Sequence, residues 1–302
     1  MAILTGKGEG SAKVSIDKDK CNVCGLCVNV CKGVILHLEN QDVVIKPDEL
    51  FGCIACGQCM AVCPKDCIFV EGRELNPDCM IEMPGPDKRA GYEQLHALLL
   101  GRRSVRDFKD REVDQEIIDK IVDIVSTAPM GIPPSEVHIS VLNSKQKVAK
   151  FSRDMIAYMK KSAWMFKPPV VWFFRLFMSK ADYESTVSFV PPLIDVVGKK
   201  IEDGENWLLY DAPLAMYFYC SGFADPADPF IAATYAMIAA ESLGLGSCMI
   251  GSVGPFLKYS KALQAEYGIK SGSQMGIVVI FGYPKYKYSR AIKRQIREVN
   301  YY

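Results

Sequence analysis

The chain has 302 residues, 49% hydrophobic and 24% charged, a globular composition that excludes disordered, collagenous and fibrous classes. Its 36 basic residues are balanced by 35 acidic ones, which argues against a dedicated nucleic-acid binder. No apolar run reaches the ~18 residues of a membrane span. Length alone predicts about two domains at ~150 residues each. The opening stretch MAILTGKGEGSAK carries neither an apolar signal core nor a cleavage site, so a cytoplasmic protein is expected.

Twelve cysteines are the anomaly. Eight of them form two matching runs, Cys21, Cys24, Cys27 and Cys31, then Cys53, Cys56, Cys59 and Cys63, each 32 residues after its counterpart. This is C-x2-C-x2-C-x3-C written twice, an internal repeat. Three thiolates at that spacing wrap one iron–sulfur cube. The fourth is expected to start the following helix and to point at the other cube. Disulfides would need a short secreted chain, and zinc prefers pairs of C-x2-C. Two 4Fe–4S clusters are therefore expected, one on Cys21, Cys24, Cys27 and Cys63, the other on Cys53, Cys56, Cys59 and Cys31. Residues 12–75 resemble the bacterial-type ferredoxin with two such clusters. Lys32 stands where that family usually has proline, and a cation there favours the reduced, more negative cube. Cys67, Cys79, Cys220 and Cys248 read as inert buried thiols, Cys67 packing against a cluster.

After the second run, KDCIFVEGRELNP reads as a hairpin-like return. The prolines, glycine and charges of residues 82–90 read as a linker. The expected domains are 1–82, a linker at 83–90, and 91–302. A helix is predicted over GYEQLHALLLGRRS with Leu95, Leu98 and Leu99 as its apolar residues. Asp114 can cap a second, whose face is Ile117, Ile118, Ile121, Val122 and Val125; Pro129 lies beyond its end. VHISVL is a strand at 137–142. PLAMYFYC and GIVVIFGY read as strands of a sheet covered on both faces. Asp228-Pro229 opens a long helix running to Gly244 whose small apolar surface suits a core or an interface. The fold class is α+β.

Residues 163–178, AWMFKPPVVWFFRLFM, form the most apolar stretch. Three readings stay open: a buried hairpin, a lid over a flat ligand, or a docking patch for a membrane surface or partner. One or two of Trp164, Phe166, Trp172, Phe173, Phe174 and Phe177 are expected to line a pocket, with the rest packed beneath.

A ferredoxin segment passes single electrons, and two-electron chemistry on an organic acceptor needs a flavin to convert between the two. No G-x-G-x-x-G follows a strand, so a mononucleotide grip is the alternative. Arg102-Arg103-Ser104-Val105-Arg106 puts three guanidiniums and a hydroxyl within five residues, suited to phosphate. Lys285–Arg297 adds six basic residues, which alone read as a solvated tail. His37, His96 and His138 read as structural.

The series R-R-S-V-R-D-F, S-T-A-P-M-G, A-A-E-S-L-G-L-G-S-C-M-I-G and F-G-Y-P with a trailing arginine resembles the nitroreductase family of FMN enzymes over residues 92–292. The resemblance implies a central sheet with helices on both faces and a homodimer with FMN at its interface. It implies that Arg102, Ser104 and Arg106 hold the FMN phosphate and ribityl chain, with Arg103 adjacent and Arg290 returning to the phosphate. Pro129, Met130 and Gly131 would run their backbone along the flavin. Gly251 would present its N–H toward flavin N5, with Ser252 beside it. Ser135 stands where the family often has a flavin-contacting glutamine, and Pro133 where it has an asparagine. No protein side chain is expected to be catalytic, since flavin carries the chemistry. The expected activity is an anaerobe's oxidoreductase passing electrons between clusters and FMN to reduce a small planar acceptor, a nitroaromatic, quinone or activated alkene. Electrons are expected to enter through the clusters, with external ferredoxin or NAD(P)H as candidate donors; a rival runs NAD(P)H to FMN and out through the clusters. The alternative is an electron-transfer or flavin-carrier protein without its own substrate.

Overall fold

The doubled cysteine run folds as a doubled backbone. In the computed structural model, which describes residues 12–49, 52–131, 136–175, 179–222 and 224–302, two units are distinguished. One comprises Met1–Arg89, Pro129–Val137 and Cys220–Asp228; the other comprises Ala90–Ala128, His138–Tyr219 and Pro229–Tyr302.

In the first unit, β1 (Lys13–Ile16) pairs antiparallel with the later β4 (Ile68–Glu71), Ile16 opposite Ile68. β2 (Leu36–Glu39) pairs with β3 (Asp42–Ile45). Each cysteine run ends in a short helix, α1 (Leu26–Val30) and α2 (Gln58–Val62). Gly25 (φ 74°) and Gly57 (φ 70°) precede these helices in the left-handed region, as do Val23 (φ 54°) and Ala55 (φ 57°) two residues earlier. A chain that turns tightly around three thiols needs such residues, and glycine adopts them without steric cost. Cys27 and Cys59 sit inside α1 and α2, while Cys31 and Cys63 are their C-terminal caps. The fourth cysteine thus closes a helix instead of starting the next, because the third already occupies the helical turn. Ile35, Leu36, Met60, Ile68 and Val70 form the core of this unit.

The second unit contains the helices α3 (Tyr92–Gly101), α4 (Gln115–Ser126), α5 (Lys145–Ser162), α6 (Pro168–Phe174), α7 (Lys180–Glu202), α8 (Asp228–Ser242), α9 (Gly254–Tyr259) and α10 (Lys261–Glu266). Its sheet is formed by β5 (Val137–Leu142), β6 (Leu214–Cys220), β7 (Gly246–Ile250) and β8 (Ile277–Gly282), in spatial order β5-β6-β8-β7. β8 runs antiparallel to both β6 and β7, with Tyr217 opposite Val278 and Cys248 opposite Ile280. Every residue of β6 and β8 is buried, so both faces of these strands are covered, as their unbroken apolar runs predict. One face packs on Phe151, Met155 and Met159 of α5 and Ile194 of α7.

Asp114 stands at the N-cap of α4, but its side chain makes no capping bond; its carboxylate lies 3.6 Å from Arg111. Ile118, Ile121 and Val125 are the buried residues of that helix. α3 buries no residue, and Leu95 and Leu99 are exposed. Its apolar spacing marked a helix correctly without a core beneath it.

Candidate functional site

The eight repeat cysteines divide between two cavities. Cys21, Cys24 and Cys27 line one together with Cys63, Cys67 and the apolar side chains of Ile16, Val43 and Ile68. Cys53, Cys56 and Cys59 line the other with Cys31, Gly33, Gly52 and Val70. Each cavity takes three thiols from one run and the terminal thiol of the other, because the helix between the third and fourth cysteines carries the fourth away. The thiols ring a space; among the described residues no three His, Cys, Asp or Glu groups converge tightly enough for a single metal ion. A ring of four thiols around an apolar-walled cavity fits a polynuclear cluster.

Burial raises the thiols of Cys27 and Cys53 and pushes Cys59 up to about 12. Burial also acts to raise Cys63, but hydrogen bonds from the backbone at Cys67, Lys65 and Asp66 outweigh it and hold this thiol below its ordinary value. Cys67 Sγ lies 3.5 Å from Cys63 Sγ, and its own thiol is pushed up to about 12, first by burial. Iron must displace these protons, so cluster loading is linked to pH. Cys67, Cys220 and Cys248 are buried, as expected. Cys79 is exposed, contrary to expectation, since it ends a short turn at Pro77–Cys79 outside the core.

The arginine-rich segment lies along the edge of the second sheet. Ser104 bridges Ser247 in parallel, Val105 N–H donates to the Ser247 carbonyl at 3.0 Å, and Phe108 bridges Pro284. This close approach requires Gly246, where a Cβ would lie 2.6 Å from Val105. The guanidinium of Arg103 donates to the backbone oxygens of Arg102 (2.9 Å) and of Arg290 (3.1 Å), joining two segments that are 187 residues apart. Among the described residues none of Arg102, Arg103, Arg106 and Arg290 is in an ion pair. Burial raises the carboxyl of Glu241, and Arg102 and Arg103 pull it back. Glu241, in α8, is a neighbour of the arginine cluster that sequence reasoning passed over; an acidic residue in the A-A-E-S-L-G motif was the available signal. Ser247 Oγ is buried with no hydrogen-bond partner among the described residues.

Arg106 belongs to the wall of a cavity of about 900 Å³, which it shares with Met249, Ile250, Gly251 and Ser252. A Cβ at Gly251 would meet nothing within 4 Å, so the backbone there is open to close approach by a ligand. The remaining wall is apolar and aromatic: Phe166, Val171, Leu193, Trp207, Tyr210 and Phe256. Tyr210 stands 5.7 Å from the Arg106 guanidinium and adopts φ 54°. A tyrosine in that region is strained, and nothing in its local sequence announced it. The volume and apolar lining suit a cofactor-sized aromatic ligand, with a few polar groups to orient it.

Phe166 is the aromatic of the 163–178 stretch that lines this cavity. The stretch is a short 3₁₀ turn at Ala163–Phe166 followed by α6, not a hairpin. Trp164, Trp172 and Phe173 are 58%, 67% and 59% exposed, so they do not pack beneath the pocket as expected. α6 has seven residues, two turns, and Val171 is its buried residue while the neighbouring Trp172 and Phe173 face out. The side chain of Phe174 is not described, and Phe177 lies outside the described residues.

Pro129, Met130 and Gly131 belong to the first unit, where Gly131 N–H donates to Asp228 Oδ1 at 2.9 Å. Ser135 and Pro133 lie outside the described residues. The three histidines have local partners: His37 with Glu49 at 2.5 Å, His96 stacked on Tyr92, and His138 against Tyr219.

Comparisons with known proteins match the chain to two families. The 4Fe-4S dicluster domain family matches residues 13–64. Ferredoxin-3 of Nostoc sp. is 36% identical over 92 residues, 22% of this chain and 92% of that protein. FMN reductase [NAD(P)H] of Bacillus subtilis is 30% identical over 155 residues, 51% of this chain; the chain spans 53% of that relative. Among solved structures, an FMN-dependent nitroreductase of Clostridium difficile R20291 is 18% identical with a TM-score of 0.48, covering 69% of this chain and 99% of its own. The nitroreductase family matches residues 99–283, more than half of the sequence and both arginine-bearing and glycine-bearing walls of the cavity, and the chain belongs to that family.

Proposed function

We propose that the chain is an FMN-dependent oxidoreductase that carries two 4Fe–4S clusters and reduces a small planar acceptor. Family membership supports the flavin, and the dicluster match supports the clusters. Cys21, Cys24, Cys27 and Cys63 would hold one cluster, and Cys31, Cys53, Cys56 and Cys59 the other. When bound, FMN supplies the exchange between one-electron carriers and a two-electron acceptor. Arg102, Arg106 and Arg290 would grip its phosphate, with Arg103 bracing Arg290 and Ser104 offering a hydroxyl. Gly251 and Ser252 would offer backbone and hydroxyl groups to the flavin ring. Domains at 1–82 and 91–302 joined by 83–90 contain the two family matches, and the small-residue helix α8 suits a homodimer with helices on both faces of the sheet. A cytoplasmic site of action accords with this chemistry; among the described residues no helix is long and apolar enough to cross a membrane.

The observation that carries this reading is the cavity wall, which sets Arg106 and the Gly251–Ser252 backbone against an apolar aromatic lining. A charged end and a flat greasy end in one space match a phosphorylated aromatic cofactor plus a planar acceptor. The test is anaerobic purification, flavin extraction, iron counting, and separate reduction with reduced ferredoxin and with NAD(P)H. FMN, about eight iron atoms per chain and turnover of a nitroaromatic or quinone are expected. FAD, zinc, or a bound flavin that no small acceptor reoxidises would overturn the assignment; the last outcome would favour the carrier reading.

A further inference from the structure

We propose that the guanidinium of Arg73 is a hydrogen-bond donor to the sulfur shell of the cluster on Cys31, Cys53, Cys56 and Cys59, and that it makes this cluster easier to reduce than the fold alone would. The proposal rests on the two-cluster reading above and adds a residue that lies outside both cysteine runs. Nε and Nη2 of Arg73 are buried with no hydrogen-bond partner among the described residues. Leaving a charged donor buried and unpaired is costly, so these nitrogens call for an acceptor that the polypeptide does not supply. The cavity of Cys31, Cys53, Cys56 and Cys59 is the place for one. Val70, three residues before Arg73, lines it, and so does Gly57. After β4 the chain turns back through a bridge between Gly72 and Leu75, and Leu75 packs on Gly57, where a Cβ would lie 3.5 Å from Leu75 Cδ2. Arg73 therefore stands between two residues that are fixed to this cavity. Burial raises the Cys53 thiol, and Arg73 acts on it in the opposite direction, which puts the guanidinium within electrostatic reach of that sulfur.

The internal repeat supplies a comparison within the same chain. Thirty-two residues before Arg73 stands Gln41, in the corresponding turn after the first cysteine run. The two residues share a left-handed backbone, φ 60° at Gln41 and 51° at Arg73. Val43, which ends the first turn, lines the cavity of Cys21, Cys24, Cys27 and Cys63. Gln41 is neutral and exposed, whereas Arg73 is charged and half-buried. Of the other charges along the walls of the second cavity, Lys13, Lys32, Asp48, Glu71 and Glu74 are exposed, and Glu49 pairs with His37 and Lys46. Water and salt screen the exposed charges, and the paired ones offset each other. Beside the first cavity Lys18 is paired with Asp42, and Lys65 and Asp66 are exposed and opposite in sign. One-electron reduction adds one negative charge to the sulfur shell and moves no proton. Hydrogen bonds and positive charge at the sulfurs favour that more negative state and raise the potential.

The experiment is a redox titration of the anaerobically purified full-length holoprotein, followed by electron paramagnetic resonance, on the wild type and on Arg73→Met, Arg73→Lys and Gln41→Met. Arg73→Met should keep about eight iron atoms per chain. One of its two cluster reductions should become less favourable by about tenfold, the effect of one charge-assisted hydrogen bond, which is about 59 mV for one electron. The other reduction should stay in place. Arg73→Lys keeps the charge but not the planar fork, so it should recover part of the shift. Gln41→Met should move neither reduction. Iron content of the wild type tests the cluster reading by itself: zinc or no iron there overturns that reading and this proposal together. Full iron with both reductions of Arg73→Met at wild-type potentials overturns the role of Arg73 alone. Loss of about four iron atoms from both Arg73 variants also overturns it and assigns Arg73 a structural role.

Discussion

Gly33 and Gly52 approach so closely that a single methyl group should separate the fates of the two thiol cavities. A Cβ on Gly33 would lie 2.5 Å from the Gly52 carbonyl oxygen, against an ordinary contact of about 3.4 Å, so Gly33→Ala must open this approach by about 0.9 Å. The obstacle is backbone, which cannot rotate away. Gly33 stands two residues after Cys31 and Gly52 immediately before Cys53, and all four line the same cavity. The displacement therefore falls on two of the four thiols proposed to hold that cluster, beyond the tolerance of about 0.5 Å within which a site keeps its geometry. Overpacking of this kind costs about 1–3 kcal/mol. The cavity of Cys21, Cys24, Cys27 and Cys63 includes neither glycine. The expected variant folds, retains its flavin, and falls from about eight iron atoms per chain to about four. Electron paramagnetic resonance of the dithionite-reduced protein should integrate to one cluster. Gly25→Ala is the control: a Cβ there meets nothing within 4 Å, so only the left-handed φ of 74° is penalised and both clusters should remain. If Gly33→Ala keeps both clusters with unshifted signals, the close-approach argument is wrong. If it loses all iron, the two cavities are not separately loaded.

Arg106→Ala should lower FMN affinity about 10- to 100-fold, the loss of one charge-assisted phosphate contact worth about 1.5–3 kcal/mol, and should purify pale in flavin with cluster absorbance intact. Phe166→Ala should reduce preference for planar acceptors over non-planar ones by up to about tenfold, read as the ratio of kcat/KM values, because an aromatic contact contributes about 0.5–1.5 kcal/mol beyond area. Asp154 tests the pH behaviour of α5. Burial acts to raise its carboxyl, but hydrogen bonds from Lys150 (2.8 Å) and the Tyr267 hydroxyl (2.6 Å) outweigh burial and lower it. A depressed carboxyl stabilises the fold above its unfolded value and loses that contribution as pH falls through the folded one. The thermal midpoint should therefore drop below about pH 4, and Asp154→Asn should lower the midpoint at neutral pH and flatten this acid limb.

Legibility in the sequence followed how local the determining physics is. The cysteine repeat fixed the segment's identity because ligand spacing is covalent, and the backbone repeats the same left-handed φ values 32 residues apart. β6 and β8 were legible as unbroken apolar runs, and α4 and α8 from their spacing and the Asp228-Pro229 start. The position of the fourth cysteine was not, because a five-residue helix has no periodicity to read. Nor was the outward turn of Trp164, Trp172 and Phe173. Hydrophobicity says what a side chain prefers, while a helix of seven residues can turn only part of its surface inward. Trp207, Tyr210, Phe189 and Tyr259 entered the cavity wall through tertiary packing alone, as did Glu241 beside the arginines.

The pairing of Ser104 with Ser247 has a consequence for solubility. β7 is the outermost strand on its side of the sheet, and an uncovered strand edge is a template for another chain. Ser104 and Val105 occupy that position, Ser104 bridging Ser247 and Val105 N–H bonded to the Ser247 carbonyl. The arginine-rich segment proposed to hold the FMN phosphate is thus also the selvage of the sheet. Anything that lifts it, including loss of the phosphate it is proposed to grip, bares the Ser247 carbonyl and the outer edge of β7. Flavin-depleted protein should consequently be more prone to strand-to-strand aggregation than flavin-loaded protein at equal temperature, so that cofactor supply would govern the lifetime of the protein as well as its colour.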